Sequence, residues 1–218
     1  MKLYMGWATT TGSRPDNQDR AVGYSLKTRM ALIVADGAGG HPCGAETATA
    51  IVRTQPDLTS HAAPLKQRAE HWAEKAQLAA LAAGGVSTGL AFLGDAQRHE
   101  AYLVACGDST VQRYRAGTWM HLTQRQGYGN VLGAYFGQAS RRAFDPQFIS
   151  LMLIPGDLYV LYTDGCDAFM GEKANSVLRP QVEQAIHSRA WGFAARNCVE
   201  VAKGLSTDNC TLGIIYVR

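Results

Sequence analysis

A chain of 218 residues with 46% hydrophobic and 18% charged residues has an ordinary globular composition and is long enough for one substantial core. Its net charge is +3, with acidic and basic residues interspersed and no dense Lys/Arg block, which argues against a nucleic-acid groove. No linker, repeat or low-complexity tract divides it, so a single domain over residues 1–218 is expected, and no apolar run approaches the roughly 20 residues of a membrane-spanning helix.

The first ten residues lack a long apolar stretch, so no signal peptide is expected and a cytoplasmic location is the default. Residues 3–9 and 20–26 predict strands flanking the polar loop Thr11–Asp19, and a third strand, 30–35, delivers Asp36 into a Gly-rich turn. From about Cys43, the pattern Ala45, Ala48, Thr49, Val52 predicts a helix with small residues toward a core. A second helix is predicted from Pro64, at a first helical position, to about Ala83. Leu65, Ala69, Trp72, Ala73, Ala76 and Leu81 fall at helical spacing, and Gly84-Gly85 stops it.

Strands over 87–94, 99–106, 109–115 and 118–122, with turns at Asp95–His99 and Arg115–Gly117, then read as an antiparallel meander. Residues 146–153 and 157–163 read as a further hairpin across Pro155-Gly156. Helices over 165–170, 179–189 and 191–203 precede a last strand, 210–217. Strands segregated from helices point to an α+β layered sandwich. The five cysteines include no Cys-x-x-Cys pair. Cys106, Cys166 and Cys210 lie in or beside apolar strands, so they are expected as small hydrophobes rather than zinc ligands or disulfides.

Four aspartates stand where an apolar run breaks into a turn: Asp36 after Ala31–Ala35, Asp108 after Tyr102–Gly107, Asp164 after Leu158–Thr163, and Asp208 before Cys210–Val217. A carboxylate at the lip of a buried strand is rigidly held yet reaches water, which is what a hard divalent cation requires of its oxygen ligands. Any one of these residues alone is more simply a turn aspartate bonding its own backbone.

In order, the polar turns read Arg14-x-x-Asn17-x-Asp19, Asp36-Gly-x-Gly-Gly-His41, Gly85-x-Ser-Thr88, Gly107-Asp-Ser109, Thr163-Asp-Gly165 and Asp208-Asn-x-Thr211. This series resembles the metal-dependent protein phosphatase family, the PPM or type 2C serine/threonine phosphatases, in its compact bacterial form. The resemblance runs from the first strand to the last. It implies a four-layer αββα fold, two antiparallel sheets flanked by helices, with two Mn²⁺ or Mg²⁺ ions at one end. Asp36 would bridge both ions, with the Gly37 carbonyl, Asp164 and Asp208 completing the shells, Arg14 binding phosphate, and Asp19 supporting the ligands from behind. The implied reaction is hydrolysis of phosphoserine and phosphothreonine by a water lying between the two ions, in a signalling role opposite a Ser/Thr kinase, by a monomeric protein.

The chain departs from the family in several places. The position four residues after Asp164 is Ala168 where many relatives have an acid, with Asp167 beside it. A third, weaker ion at Asp108 is then either absent or held through Asp167 in shifted geometry. Thr110 follows Gly107-Asp-Ser where Arg is frequent, and Ala38 stands where some members carry a His. Leaving-group protonation must therefore come from elsewhere, and His41 reads more simply as a solvated loop residue. Asp16 reads as a solvated turn residue and Asn17 as a turn cap. The segment Leu122–Asn130 is much shortened before Val131-Leu-Gly133, and the segment between Gly137 and Asp164 is also tight, leaving little room for a large flap. The alternative is a catalytically silent, phosphoprotein-binding or regulatory module of the same fold. An aspartyl-phosphate phosphotransferase would want a second acid and a base near Asp36, where the chain has Gly-Ala-Gly-Gly.

Overall fold

A computed structural model of the chain describes residues 1–60, 63–128, 131–137 and 143–218. In chain order the elements begin with β1 (Leu3–Thr10), β2 (Asp19–Leu26), β3 (Arg29–Asp36), α1 (Gly44–Arg53) and α2 (Leu65–Ala83). Next come β4 (Val86–Ser87), β5 (Gly89–Asp95), β6 (Glu100–Cys106), β7 (Thr110–Arg115), β8 (Thr118–His121), β9 (Gly127–Tyr128), β10 (Val131–Leu132) and β11 (Phe136–Gly137). The chain closes with β12 (Gln147–Met152), β13 (Leu158–Tyr162), α3 (Asp167–Glu172), α4 (Arg179–Ser188), α5 (Trp191–Lys203) and β14 (Cys210–Val217).

Among the described residues two antiparallel five-stranded sheets form, in the orders β1-β14-β13-β7-β8 and β12-β6-β5-β3-β2. Strand β3 shows why they stack. It is apolar from Met30 to Ala35, and successive side chains point to opposite faces. Met30, Leu32 and Val34 enter the core between the sheets with Phe92, Leu103, Tyr159 and Ile215. Ala31, Ile33 and Ala35 face the other way, against Ile51 of α1 and Trp72 of α2. On the far side, Val160, Tyr162, Leu212 and Ile214 of the first sheet pack on Phe169, Trp191, Ala195 and Cys198. The result is the αββα sandwich expected.

The helices begin and end close to where the sequence places them, but two faces differ. In α1 the buried residues are Gly44, Thr47, Ala48, Ile51 and Val52, so Ala45 and Thr49 lie at the margin. In α2 Arg68 and Ala80 are buried while Leu81 is 40% exposed, and Pro64 caps the helix from outside rather than starting it. Gly84 ends α2 in the left-handed conformation, its N–H bonding Ala80 O.

The strand pairings correct two expectations. The run from β5 to β8 is not one meander: β5–β6 is a hairpin of one sheet and β7–β8 a hairpin of the other, so the chain changes sheets at Gly107–Ser109. Likewise β12 and β13 do not pair, because β12 lies on β6 and β13 lies between β7 and β14. The cause is at the turn. Leu153 N–H bonds His99 O at 2.9 Å at the end of one sheet. The buried Asp157 carboxylate meanwhile takes two bonds from Arg115 at 2.5 Å and pulls the chain into the other sheet. The four cysteines at 106, 166, 198 and 210 are buried free thiols, and Cys43 is exposed.

Candidate metal centre

The switch between sheets brings several strand ends to one end of the sandwich. Asp19 opens β2 and Asp36 closes β3, and the two stand directly opposite each other in the β2–β3 register. The Asp36 backbone is fixed from the neighbouring segment: its carbonyl accepts from Thr88 N at 2.8 Å and Ser87 Oγ at 2.8 Å, and its N–H donates to Thr88 Oγ1 at 3.2 Å. Thr88 Oγ1 is in turn 2.7 Å from Ser109 Oγ, joining the Gly85-x-Ser-Thr turn to the Gly-Asp-Ser turn. Gly37 has a packing reason to be glycine. A Cβ there would stand 2.4 Å from the Gly44 carbonyl, so α1 could not start so close to the turn.

Asp164 and Asp208 leave neighbouring strands of the other sheet. The buried Thr163 joins them to Asp19: its hydroxyl donates to Asp19 Oδ2 at 2.8 Å and accepts from Thr211 N at 3.1 Å. Asp108 precedes β7, which pairs with β13 as Thr110 opposite Tyr162. Loop residues 11–18 close the ring. Asn209, 6% exposed, accepts from Gln18 N and donates to Thr11 O and Asp16 O at 2.7–3.0 Å. Asn17 accepts from Asp19 N at 3.0 Å, the turn cap expected of it, and Asp16 is exposed.

These elements enclose a cleft of about 710 Å³ lined by Arg14, Asp36, Gly37, Asp108, Asp164 and Asp208, with His41, Val131, Leu132 and Tyr135 at its rim. Asp19 lies behind it, 1% exposed. The structure thus gathers every sequence-predicted site residue at one place, all but Asp19 on the cleft wall. Arg14 does not stand free for a ligand: its Nη2 bonds Asp208 Oδ2 at 2.8 Å.

The cleft is crowded with negative charge. Burial, then the charges of Asp19 and Asp164, push the Asp36 carboxyl well above the ordinary carboxylate range. Burial, then the charges of Asp108 and Asp208, lift Asp164 to about 6. Burial also lifts Asp19 to about 6, against the hydrogen bonds of Thr163 and Thr211. Carboxylates that raise one another's pKa are short of cations. The donor set is oxygen only, which suits Mg²⁺ or Mn²⁺ better than zinc or copper. Asp108 Oδ1 is also buried without a hydrogen-bond partner. The residues present fit hard divalent ions on these grounds. They are not drawn tight, however: among the described residues no three His, Cys, Asp or Glu side chains converge in coordinating geometry.

One residue near the cleft had no motif to announce it. Arg125, in the shortened segment after β8, forms an ion pair with Asp167, and its Nε donates to Thr110 Oγ1 at 3.3 Å. Asp167 therefore has a partner already, and Thr110, which follows Gly-Asp-Ser, is that partner's second support. The remaining part of the shortened region includes Gly129 and Asn130, which lie outside the described residues, as do residues 138–142.

No protein-family model and no curated protein matches the chain. Solved structures do. A PPM Ser-Thr phosphatase from Mycobacterium smegmatis, MsPP, in complex with cacodylate, superposes with a TM-score of 0.78 at 20% identity over 100% of both chains. The catalytic domain of the serine/threonine phosphatase PstP, in complex with two manganese ions, gives 0.75 at 17% identity over 99% of both chains. PppA, described as a key regulatory component of the type VI secretion system in Pseudomonas aeruginosa, gives 0.76 at 20% identity over 100% of this chain and 99% of its own. No helix among the described residues is long and apolar enough to cross a membrane. From end to end, this chain has the fold of the compact bacterial PPM-type serine/threonine phosphatases.

Proposed function

We propose that the chain, acting as one domain, is a metal-dependent phosphoric monoester hydrolase of phosphoserine and phosphothreonine in proteins, cytoplasmic and opposed to a Ser/Thr kinase. The observation that carries this reading is the convergence of Asp36, Asp164, Asp208 and Arg14 on one cleft, from four widely separated turns. Asp36, the Gly37 carbonyl, Asp164 and Asp208 would hold two Mn²⁺ or Mg²⁺ ions. Two such ions, when bound, supply a nucleophile at neutral pH and polarise phosphoryl oxygens for in-line displacement.

The chain's own residues have distinct tasks. Arg14, 53% exposed, exchanges its Asp208 partner for a phosphate, whose paired oxygens suit the guanidinium fork. Asp208 is thereby released toward a cation, so phosphate and metal binding reinforce each other. Asp19 and Thr163 hold the carboxylates in place from the dry side. The shortened segment Leu122–Asn130, and among the described residues a rim of exposed Val131 with half-buried Leu132 and Tyr135, support an open cleft. Aryl phosphates and phosphopeptides should therefore be hydrolysed with comparable efficiency.

A second reading, a regulatory or phosphoprotein-binding module, is favoured by two observations: among the described residues the carboxylates are not drawn into coordinating geometry, and Arg14 occupies Asp208. Hydrolysis of p-nitrophenyl phosphate and a phosphothreonine peptide, with Mn²⁺, Mg²⁺ or EDTA and with Asp36→Asn, separates the two. Turnover that both EDTA and the substitution reduce by at least two orders of magnitude supports the hydrolase. Folded, metal-loaded protein without turnover supports the module.

A further inference from the structure

Asn209 follows Asp208 in the last polar turn, yet it is neither a metal ligand nor a phosphate ligand of the proposed hydrolase. Its side chain is buried and spends its whole amide on one segment, the loop 11–18 that carries Arg14. Oδ1 accepts from Gln18 N at 2.9 Å, and Nδ2 donates to Thr11 O at 2.7 Å and to Asp16 O at 3.0 Å. Those bonds engage one carbonyl and both amide hydrogens, the full donor set of the group. The loop is thus held before Arg14, after it, and at its far end. Two further contacts press the same loop onto the same turn. Ser13 Oγ donates to Thr207 O at 2.8 Å, and a Cβ on Gly12, whose φ is 64°, would stand 2.0 Å from the Asp208 carbonyl oxygen.

Arg14 depends on that hold because its own contact is temporary. Its bond to Asp208 Oδ2 at 2.8 Å is the one a phosphate must break, and among the described residues its guanidinium has no other hydrogen-bond partner. Once released from Asp208, a long exposed side chain stays at the cleft only as far as its backbone keeps it there. Asn209 fixes that backbone whichever partner the guanidinium has, since all three of its bonds go to main-chain atoms. Asn209 also touches the other half of the ion pair: its backbone N–H donates to Asp208 Oδ1 at 2.8 Å. That bond survives any change of side chain, so the hold on the loop can be removed while the hold on Asp208 remains.

We infer that Asn209 is a positioning residue for phosphate: its side chain holds the loop that presents Arg14 to the phosphoryl group, and it acts through Arg14 rather than through the metal ions. This rests on the hydrolase reading above. Without the amide the loop loses three ties, and binding a phosphate must then also order the arginine that receives it. The cost falls on substrate and phosphate affinity, and the reacting centre is left as it was.

A double-mutant cycle with Arg14, read on p-nitrophenyl phosphate with Mn²⁺, tests this. Asn209→Ala should raise KM and the inhibition constant of inorganic phosphate about tenfold and change kcat less than about threefold, the pattern of lost binding rather than lost chemistry. In an Arg14→Ala background the same substitution should lower kcat/KM by less than about twofold, because nothing is left for it to position. Mn²⁺ affinity, from the electron paramagnetic resonance of the free ion, should stay within about twofold of wild type, since the Asp208 Oδ1 bond is made by the backbone. Asn209→Ser repeats the cycle should alanine disturb folding. Equal losses in the two backgrounds, or Mn²⁺ binding weakened as much as phosphate binding, would overturn the inference and leave the hydrolase reading standing. A folded, metal-loaded wild type without turnover would overturn both.

Discussion

Thr163 shows how one hydroxyl can hold a charged site together. It bonds Asp19 Oδ2 and Thr211 N at once, both buried, across segments more than forty residues apart in sequence. Thr163→Val keeps the shape and removes both bonds, leaving a buried acceptor and a buried donor short of partners. We expect a loss of about 2 kcal/mol in urea unfolding, together with weaker metal binding. A stability equal to wild type would show that water replaces the hydroxyl. At this scale the gathering of Asp36, Asp108, Asp164 and Asp208 was legible in the sequence, because an aspartate at the end of an apolar strand is a local pattern. Arg125 was not, since its ion pair with Asp167 joins positions 42 residues apart that no spacing reveals. The Arg14–Asp208 pair escaped for the same reason: both residues are named by motifs, but their contact joins positions 194 residues apart.

Elements were read well where a single chain segment decides them and poorly where two sheets compete. Strand β14 and helix α5 fall where hydrophobic pattern puts them, at Cys210–Val217 and Trp191–Lys203. The β12–β13 connection has the Pro-Gly signature of a hairpin, and Gly156 does adopt a positive φ of 95°. Turn chemistry reports that the chain reverses; it does not report which sheet receives the next strand. Here Arg115 and Asp157, 42 residues apart, make that choice. The approach of α1 to the Asp36 turn is another contact between elements. Gly37→Ala would drive a Cβ to 2.4 Å from the Gly44 carbonyl, and backbone rather than a pliable side chain must move. We expect about 1–3 kcal/mol of destabilisation by urea midpoint, as for other overpacked sites. Wild-type stability would mean that the turn and α1 separate at little cost.

For the molecule as a whole, the sandwich is the device that places like charges together. Its core between the sheets holds the strand ends in register, and the carboxylates at those ends cannot spread apart to relieve their repulsion. Without metal, Asp19 and Asp164 titrate near 6 rather than 3.8. The native state then binds protons more tightly than the unfolded chain. The stability that these groups contribute is complete below about pH 4 and is lost as pH rises through about 6. A bound cation replaces those protons and removes the penalty, most effectively where the carboxylates are ionised. Mn²⁺ should therefore raise the melting temperature several degrees more at pH 7.5 than at pH 5, measured by differential scanning fluorimetry. Equal shifts at the two pH values would mean that the raised carboxylates are not the ligands.

The most direct test of the account follows phosphate release from a phosphothreonine peptide while Mn²⁺ is titrated into EDTA-stripped protein. Release should be absent in stripped protein, remain low when one ion is bound, and rise steeply as the second loads. Turnover that survives EDTA, or none after two ions have bound, would contradict it.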